Sequence, residues 1–300
     1  MRKRRPTIAT RSESEAVARA EVLRETVDST AFGVVEKPLS PWERLINIGA
    51  VRKVALLVVL ALLWEGYARL LANPLLLPTF SATLSAFAEA VASGTLPERA
   101  VTSLKVLLAG YGAGILCAAV LTIVAISTRI GTDLLELLTS MLNPLPAIAL
   151  LPLALIWFGL GYGSIVFVII HSVLWSVALN THSGFLSVSP TLRMVGRNYG
   201  LAGLRYVGAI LVPAAFPSIL TGLKIGWAFA WRTLIAAELV FGVSSGSGGL
   251  GWFIYENKNQ LNIPEVFAGL FTVILIGLVV ENVVFRTIEI RTVRRWGMQS

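Results

Sequence analysis

Between Leu137 and Leu192 the chain carries no Asp, Glu, Lys or Arg. A helix needs about 20 predominantly apolar residues to cross roughly 30 Å of hydrocarbon, so this run is long enough for two crossings joined by a turn at Gly159, Gly161 and Gly163. Val106 to Thr128 is a second uncharged run. Only 14% of the 300 residues are charged, against about 25% in soluble domains, and eighteen of them crowd into residues 1–53. The remainder would aggregate in water, which excludes an ordinary soluble enzyme and points to an all-helical protein of the lipid bilayer.

Hydropathy predicts six spans, at 53–72, 103–127, 137–158, 163–182, 217–242 and 264–285. Pro74 and Pro78 break the chain after the first. Phe80, Leu84, Phe87 and Val91 then recur at helical spacing, predicting a short amphipathic helix at the interface. Residues 1–45 are basic and poor in aromatics, so they are expected to form a disordered tail. Without interleaved aromatics or a binding motif, no nucleic-acid partner is expected. No apolar segment follows the basic start until Val54, so the first span is expected to remain as an anchor.

Lys and Arg are retained on the cytoplasmic side near span ends. Arg44, Arg52 and Lys53 precede span one, Arg129 separates spans two and three, Arg193, Arg197 and Arg205 separate four and five, and Arg286, Arg291, Arg294 and Arg295 follow six. Both termini are therefore expected in the cytoplasm, which requires an even number of spans. Gly110 with Gly114 and Gly222 with Gly226 have the small-xxx-small spacing that lets helices approach closely in lipid, within one chain or across a dimer.

No GxxxxGK[ST] loop occurs, so any ATP that drives this chain is hydrolysed elsewhere. The GxG patterns around Gly110, Gly159 and Gly246 lack a βαβ setting and are not nucleotide fingerprints. His171 and His182 have no GxSxG or HExxH context, and the single Cys117 reads as a small buried residue. Neither a catalytic residue, a metal site nor a cofactor is expected.

Four residues in the spans are candidates for a translocation path. His171 and Trp175, four apart, share a helix face and either line the path or pack between helices. Arg232 lies near the middle of span five; it either offers an electropositive site to an anion or pairs with Glu238, Glu65 or Glu281. Glu238 is six residues on, about 240° around the helix, so the two cannot pair along one face.

The connection 183–216 reads as a helical stretch, a glycine, a second stretch and a proline stop. Gly200, Ile210, Val212 and Pro213 match the spacing of the cytoplasmic signature in permease subunits of bacterial ABC importers, whose Glu-Ala-Ala start is here Met194, Val195 and Gly196. The chain resembles that family over about residues 55–297, in the nitrate, sulfonate, taurine and bicarbonate branch. Leu151 to Gly159, Leu220 to Lys224, Ala228 to Glu238, Gly249-Leu250-Gly251 and Arg291 to Gly297 carry the likeness. The resemblance implies a type I ABC importer permease fold over 53–285, a cytoplasmic tail over 286–300 and a location in the bacterial inner membrane. It further implies a second permease copy, a periplasmic substrate-binding protein, and a cytoplasmic ATP-binding subunit coupled through Arg193, Met194, Arg197, Gly200, Arg205, Ile210 and Pro213. The expected cargo is a small anionic solute. The loss of Glu at Met194 implies more apolar contacts with the ATP-binding subunit. The rival is an ion-coupled transporter or channel, which would not need that signature spacing.

Overall fold

The computed structural model describes residues 47–241 and 248–295. The tail expected over 1–45, Gly246 and the Trp296-Gly297 end of the last motif lie outside the described residues. The chain divides into two units, Met1–Leu57 and Val58–Ser300. The described part of the first is the opening of helix α1, Gly49–Leu71.

All regular elements among the described residues are helices. Helix α2 is Phe80–Ala92, α3 Thr95–Ser127, α4 Arg129–Leu142, α5 Ala147–Phe158, α6 Tyr162–Leu186 and α7 Pro190–Asn198. Helix α8 covers 203–241, α9 is Leu250–Asn259, and α10 covers 263–294. Helices α1, α3, α6, α8 and α10 are long and apolar enough to span a membrane, and α4 with α5 supplies a sixth crossing if the bent pair counts as one.

That pair corrects the expected third span. Residues 137–158 are not one helix: α4 and α5 meet at 87° across a break of four residues. The cause is Asn143-Pro144-Leu145-Pro146. Each proline lacks an N–H and cannot continue the helical hydrogen-bond ladder, and the chain leaves the helical region at Pro146, with ψ 121°. At 1.5 Å per residue the halves are roughly 21 and 18 Å long, so neither spans hydrocarbon alone. Other ends also run past expectation, with α3 starting eight residues early at Thr95 and α10 continuing as helix to Arg294, into the segment read as a tail.

Helices α3, α6 and α8 form the core, centred on Leu107, Ile169, Val173, Ala178, Ala230 and Leu234. Both glycine pairs act here, within one chain and against one broad face of α6, where Val173 meets both Gly114 and Gly226. A Cβ on Gly110 would stand 2.7 Å from Ile169 Cβ, and one on Gly114 2.8 Å from Val173 Cβ. From α8, a Cβ on Gly222 would reach 2.8 Å from Asn180 Cβ and one on Gly226 3.2 Å from Val177 Cγ2. The α6 side chains thus press directly on neighbouring backbone, which is how van der Waals packing holds helices together in lipid.

Helix α1 is held through Trp64, whose Nε1–H donates to the Pro78 carbonyl at 2.9 Å and whose ring packs on Phe80 and Phe267. Trp64 is therefore a packing residue that joins α1 to α2 and α10. Cys117, read as buried, is exposed on α3.

Candidate functional site

The segment between α6 and α8 folds as a hairpin, and local chemistry explains each part of it. The Ser189 hydroxyl accepts from the Leu192 N–H at 3.3 Å and caps α7, with Pro190 preset at its first position. Gly200 ends α7 in the left-handed region, φ 70°, where a side chain is strained and glycine is not. Its N–H donates to the Arg197 carbonyl at 2.9 Å, and Leu201 N–H donates to the Gly196 carbonyl at 3.1 Å, closing the helix end.

Two contacts make this hairpin stiff. Arg193 reaches back to the end of α6: its Nε donates to the Val188 carbonyl at 3.1 Å, and its Nη2 donates to the carbonyls of Phe185 and Leu186. A helix C-terminus leaves its last carbonyls unpaired and carries partial negative charge, so a guanidinium there satisfies both needs. The second contact is Gly196, which is buried against the returning arm. A Cβ there would stand 2.8 Å from Ile210 Cγ1 and 3.0 Å from Tyr206 Cε2.

Pro213 is not the stop that the sequence suggests. Helix α8 runs through Pro213 and Pro217. The turn before Pro213 widens over Val207–Leu211, with Val212 N–H donating to the Val207 carbonyl five residues back. The wider turn absorbs the ring of a proline that cannot hydrogen-bond. The second arm is therefore continuous with a membrane-spanning helix.

Arg197 and Arg205 are exposed, and so are the apolar side chains of Met194, Tyr199 and Leu204, at 56%, 82% and 72%. The arrangement offers water an apolar tip and two cations that have no ion pair among the described residues. Gly196 was visible in the sequence only as a departure from the alanine usual at its place; its contact with Ile210 depends on how the second arm returns.

Within the spans, His171, Trp175 and Arg232 line one cavity of about 370 Å³, walled also by the broken segment Asn143 to Ile148. His171 is nine residues from the start of α6 and Arg232 nine from the end of α8, so both lie about 14 Å from those helix ends at 1.5 Å per residue. The rings of His171 and Trp175 meet edge to face at 6.0 Å. Neither His171 nitrogen, nor Trp175 Nε1, has a hydrogen-bond partner among the described residues. The Arg232 guanidinium carbon lies 5.9 Å from the Phe229 ring centroid.

The expected pairing of Arg232 does not form among the described residues. Glu65 is engaged by Arg69 at 2.7 Å and by Ser81. Glu281 is exposed on α10. Glu238 is not on the cavity wall: it is buried and accepts from Ser103 Oγ at 2.8 Å and from Gly251 N–H at 2.8 Å, while Ser103 Oγ accepts from Leu250 N–H. A Cβ on Gly249 would fall 2.2 Å from Glu238 Oε1. Glu238 therefore ties α3, α8 and the start of α9 together, and Gly249-Leu250-Gly251 is the backbone that this knot requires.

Comparison with known proteins accords with this geometry. Residues 110–289 match the family described as "Binding-protein-dependent transport system inner membrane component". The chain is 32% identical to the nitrate import permease protein of Synechocystis sp., over 78% of this chain and 84% of that protein. It is 29% identical to the taurine transport system permease protein of Escherichia coli, over 80% and 88%. It is 30% identical to the bicarbonate transport system permease protein of Synechococcus elongatus, over 54% and 60%.

Proposed function

Because the chain belongs to the family of binding-protein-dependent transport system inner membrane components, we propose that it is the membrane-spanning half of an ATP-driven importer. In this reading the 190–211 hairpin docks on a separate cytoplasmic ATP-binding subunit. A periplasmic binding protein delivers the solute from the other side, and a second copy of the chain completes the path. The nitrate, taurine and bicarbonate named for the relatives share one chemistry, so the solute is a small molecule bearing an oxyanion. The charge asymmetry of the loops supports a reading with both termini in the cytoplasm.

One observation carries the proposal: the hairpin is fastened at both ends to spans. Arg193 fixes α7 to the end of α6, and the second arm runs into α8 without a break. A push on the exposed tip is delivered to two core helices, so closure of two ATP-binding subunits would rotate the spans as rigid bodies. The apolar tip suits a groove on a protein surface, and Arg197 and Arg205 suit an acidic rim around it.

The reading is tested by purification and uptake together. A tagged chain is expected to bring down an ATP-binding protein, and vesicles holding the complex are expected to accumulate solute only with ATP inside the hydrolytic compartment. Uptake that ignores ATP and follows an ion gradient would favour the ion-coupled rival.

A further inference from the structure

The cavity between α6, α8 and the α4–α5 break gathers hydrogen-bond donors and one uncompensated charge. Trp175 is 6% exposed, and its Nε1–H faces no acceptor. Indole and guanidinium groups donate only and cannot accept. No carboxylate lines the cavity, and Arg232 has no ion pair among the described residues. Both nitrogens of His171 are buried and unpartnered beside Trp175, and one of them carries a proton in either tautomer.

The α4–α5 break supplies part of the wall. Non-helical chain at membrane depth is tolerated where it is buried in protein or lines a cavity. Here Ala147 and Ile148, at the opening of α5, form part of the wall. That opening is a single 3-10 turn, Ala147–Leu150, and it contributes apolar wall rather than a carboxylate. Ser172 does not offset this, because its hydroxyl is turned away to the Ile169 carbonyl at 2.9 Å.

We propose that this cavity is an anion-binding site within the permease chain, which holds a small monovalent oxyanion of the nitrate or sulfonate type against Arg232, Trp175 Nε1 and His171. Arg232 is exposed rather than buried in protein, yet a cationic side chain without a partner is costly at membrane depth, and an oxyanion supplies the missing counter-charge together with the acceptors. About 370 Å³ is room for roughly a dozen waters at ~30 Å³ each, enough for such an ion with part of its hydration shell. The inference rests on the permease reading for its biological role but not for its chemistry. It makes the permease itself a filter for charge.

Titration calorimetry on the full chain in lipid nanodiscs, without any ATP-binding subunit, tests it. The probes are sodium nitrate and sodium methanesulfonate at constant ionic strength balanced with sodium gluconate. Wild type is expected to show saturable binding; Arg232→Gln should weaken it at least about tenfold, Arg232→Lys should keep most of it, and Trp175→Phe, which keeps a ring but loses the N–H, should weaken it severalfold. Absence of saturable binding to wild type, or equal binding by wild type and Arg232→Gln, overturns the proposal; should Arg232→Gln fail to fold, unaltered binding by Trp175→Phe does so. Failure of the coupling reading is separately visible, since Arg232→Gln should still hold the ATP-binding subunit, whatever its affinity for the anion.

Discussion

A Gly196→Leu chain is expected to insert all its spans and yet to lose uptake, by at least about tenfold, which corresponds to ~1.4 kcal/mol. The reason is steric. At Gly196 even a Cβ would stand 2.8 Å from Ile210 Cγ1 and 3.0 Å from Tyr206 Cε2, and overpacking of this kind typically costs 1–3 kcal/mol. The cheapest relief is for the two arms to part, which destroys the stiff hairpin without touching the core around Val173. Gly196→Ala already forces Ile210 to move, since 2.8 Å is closer than carbon atoms pack, and should lose part of the uptake, less than Gly196→Leu does. Gly200 behaves differently. Nothing lies within 4 Å of a Cβ there, and the constraint is its φ of 70°. Gly200→Asn, which tolerates the left-handed region, should therefore be milder than Gly200→Val. Uptake measured across these variants checks the account; equal uptake by Gly196→Leu and wild type would contradict it.

Arg193→Glu is expected to be as damaging, for an electrostatic reason. The guanidinium donates to carbonyls at the end of α6, and hydrogen bonds made by charged groups are worth about 1.5–3 kcal/mol. Glutamate removes the donors and places a negative charge at the negative end of a helix. Amide exchange over residues 185–200 should accelerate at least about tenfold, in line with the loss of one such bond, and uptake should fall with it. Arg193→Lys, a single point charge without the fork, should restore part of both. Unchanged exchange in Arg193→Glu would mean that the clamp contributes nothing.

What could be read in the sequence follows a physical division. The hairpin was legible because its parts are local: Ser189-Pro190 starts a helix and Gly200 ends it. The glycine pairs were legible as contacts because lipid packing needs small residues at that spacing, although the partner, α6 for both pairs, was not. The broken third span was missed because hydropathy counts apolar side chains and is blind to the N–H groups that Pro144 and Pro146 lack. Pro213 misled in the opposite direction, since a widened turn lets a helix continue through it. Arg193 was grouped with Arg197 and Arg205 because like charges look alike in a loop, yet it alone bonds the end of α6. Glu238 and Arg232 sit on one helix, but only the fold shows that one is tied to Ser103 and Gly251 while the other faces a cavity.

The central claim, that the tip of the 190–211 hairpin is where an ATP-binding subunit takes hold, is met most directly by site-directed crosslinking. Tyr199 is 82% exposed at that tip, and the exposed Cys117 is first replaced by serine so that Tyr199→Cys supplies the sole thiol. A short bifunctional reagent added to the assembled complex should join Tyr199→Cys to the ATP-binding subunit, and ATP should change the yield. Labelling of that thiol from the periplasmic side, or its modification by water-soluble reagent alone with no adduct to the subunit, would contradict the account.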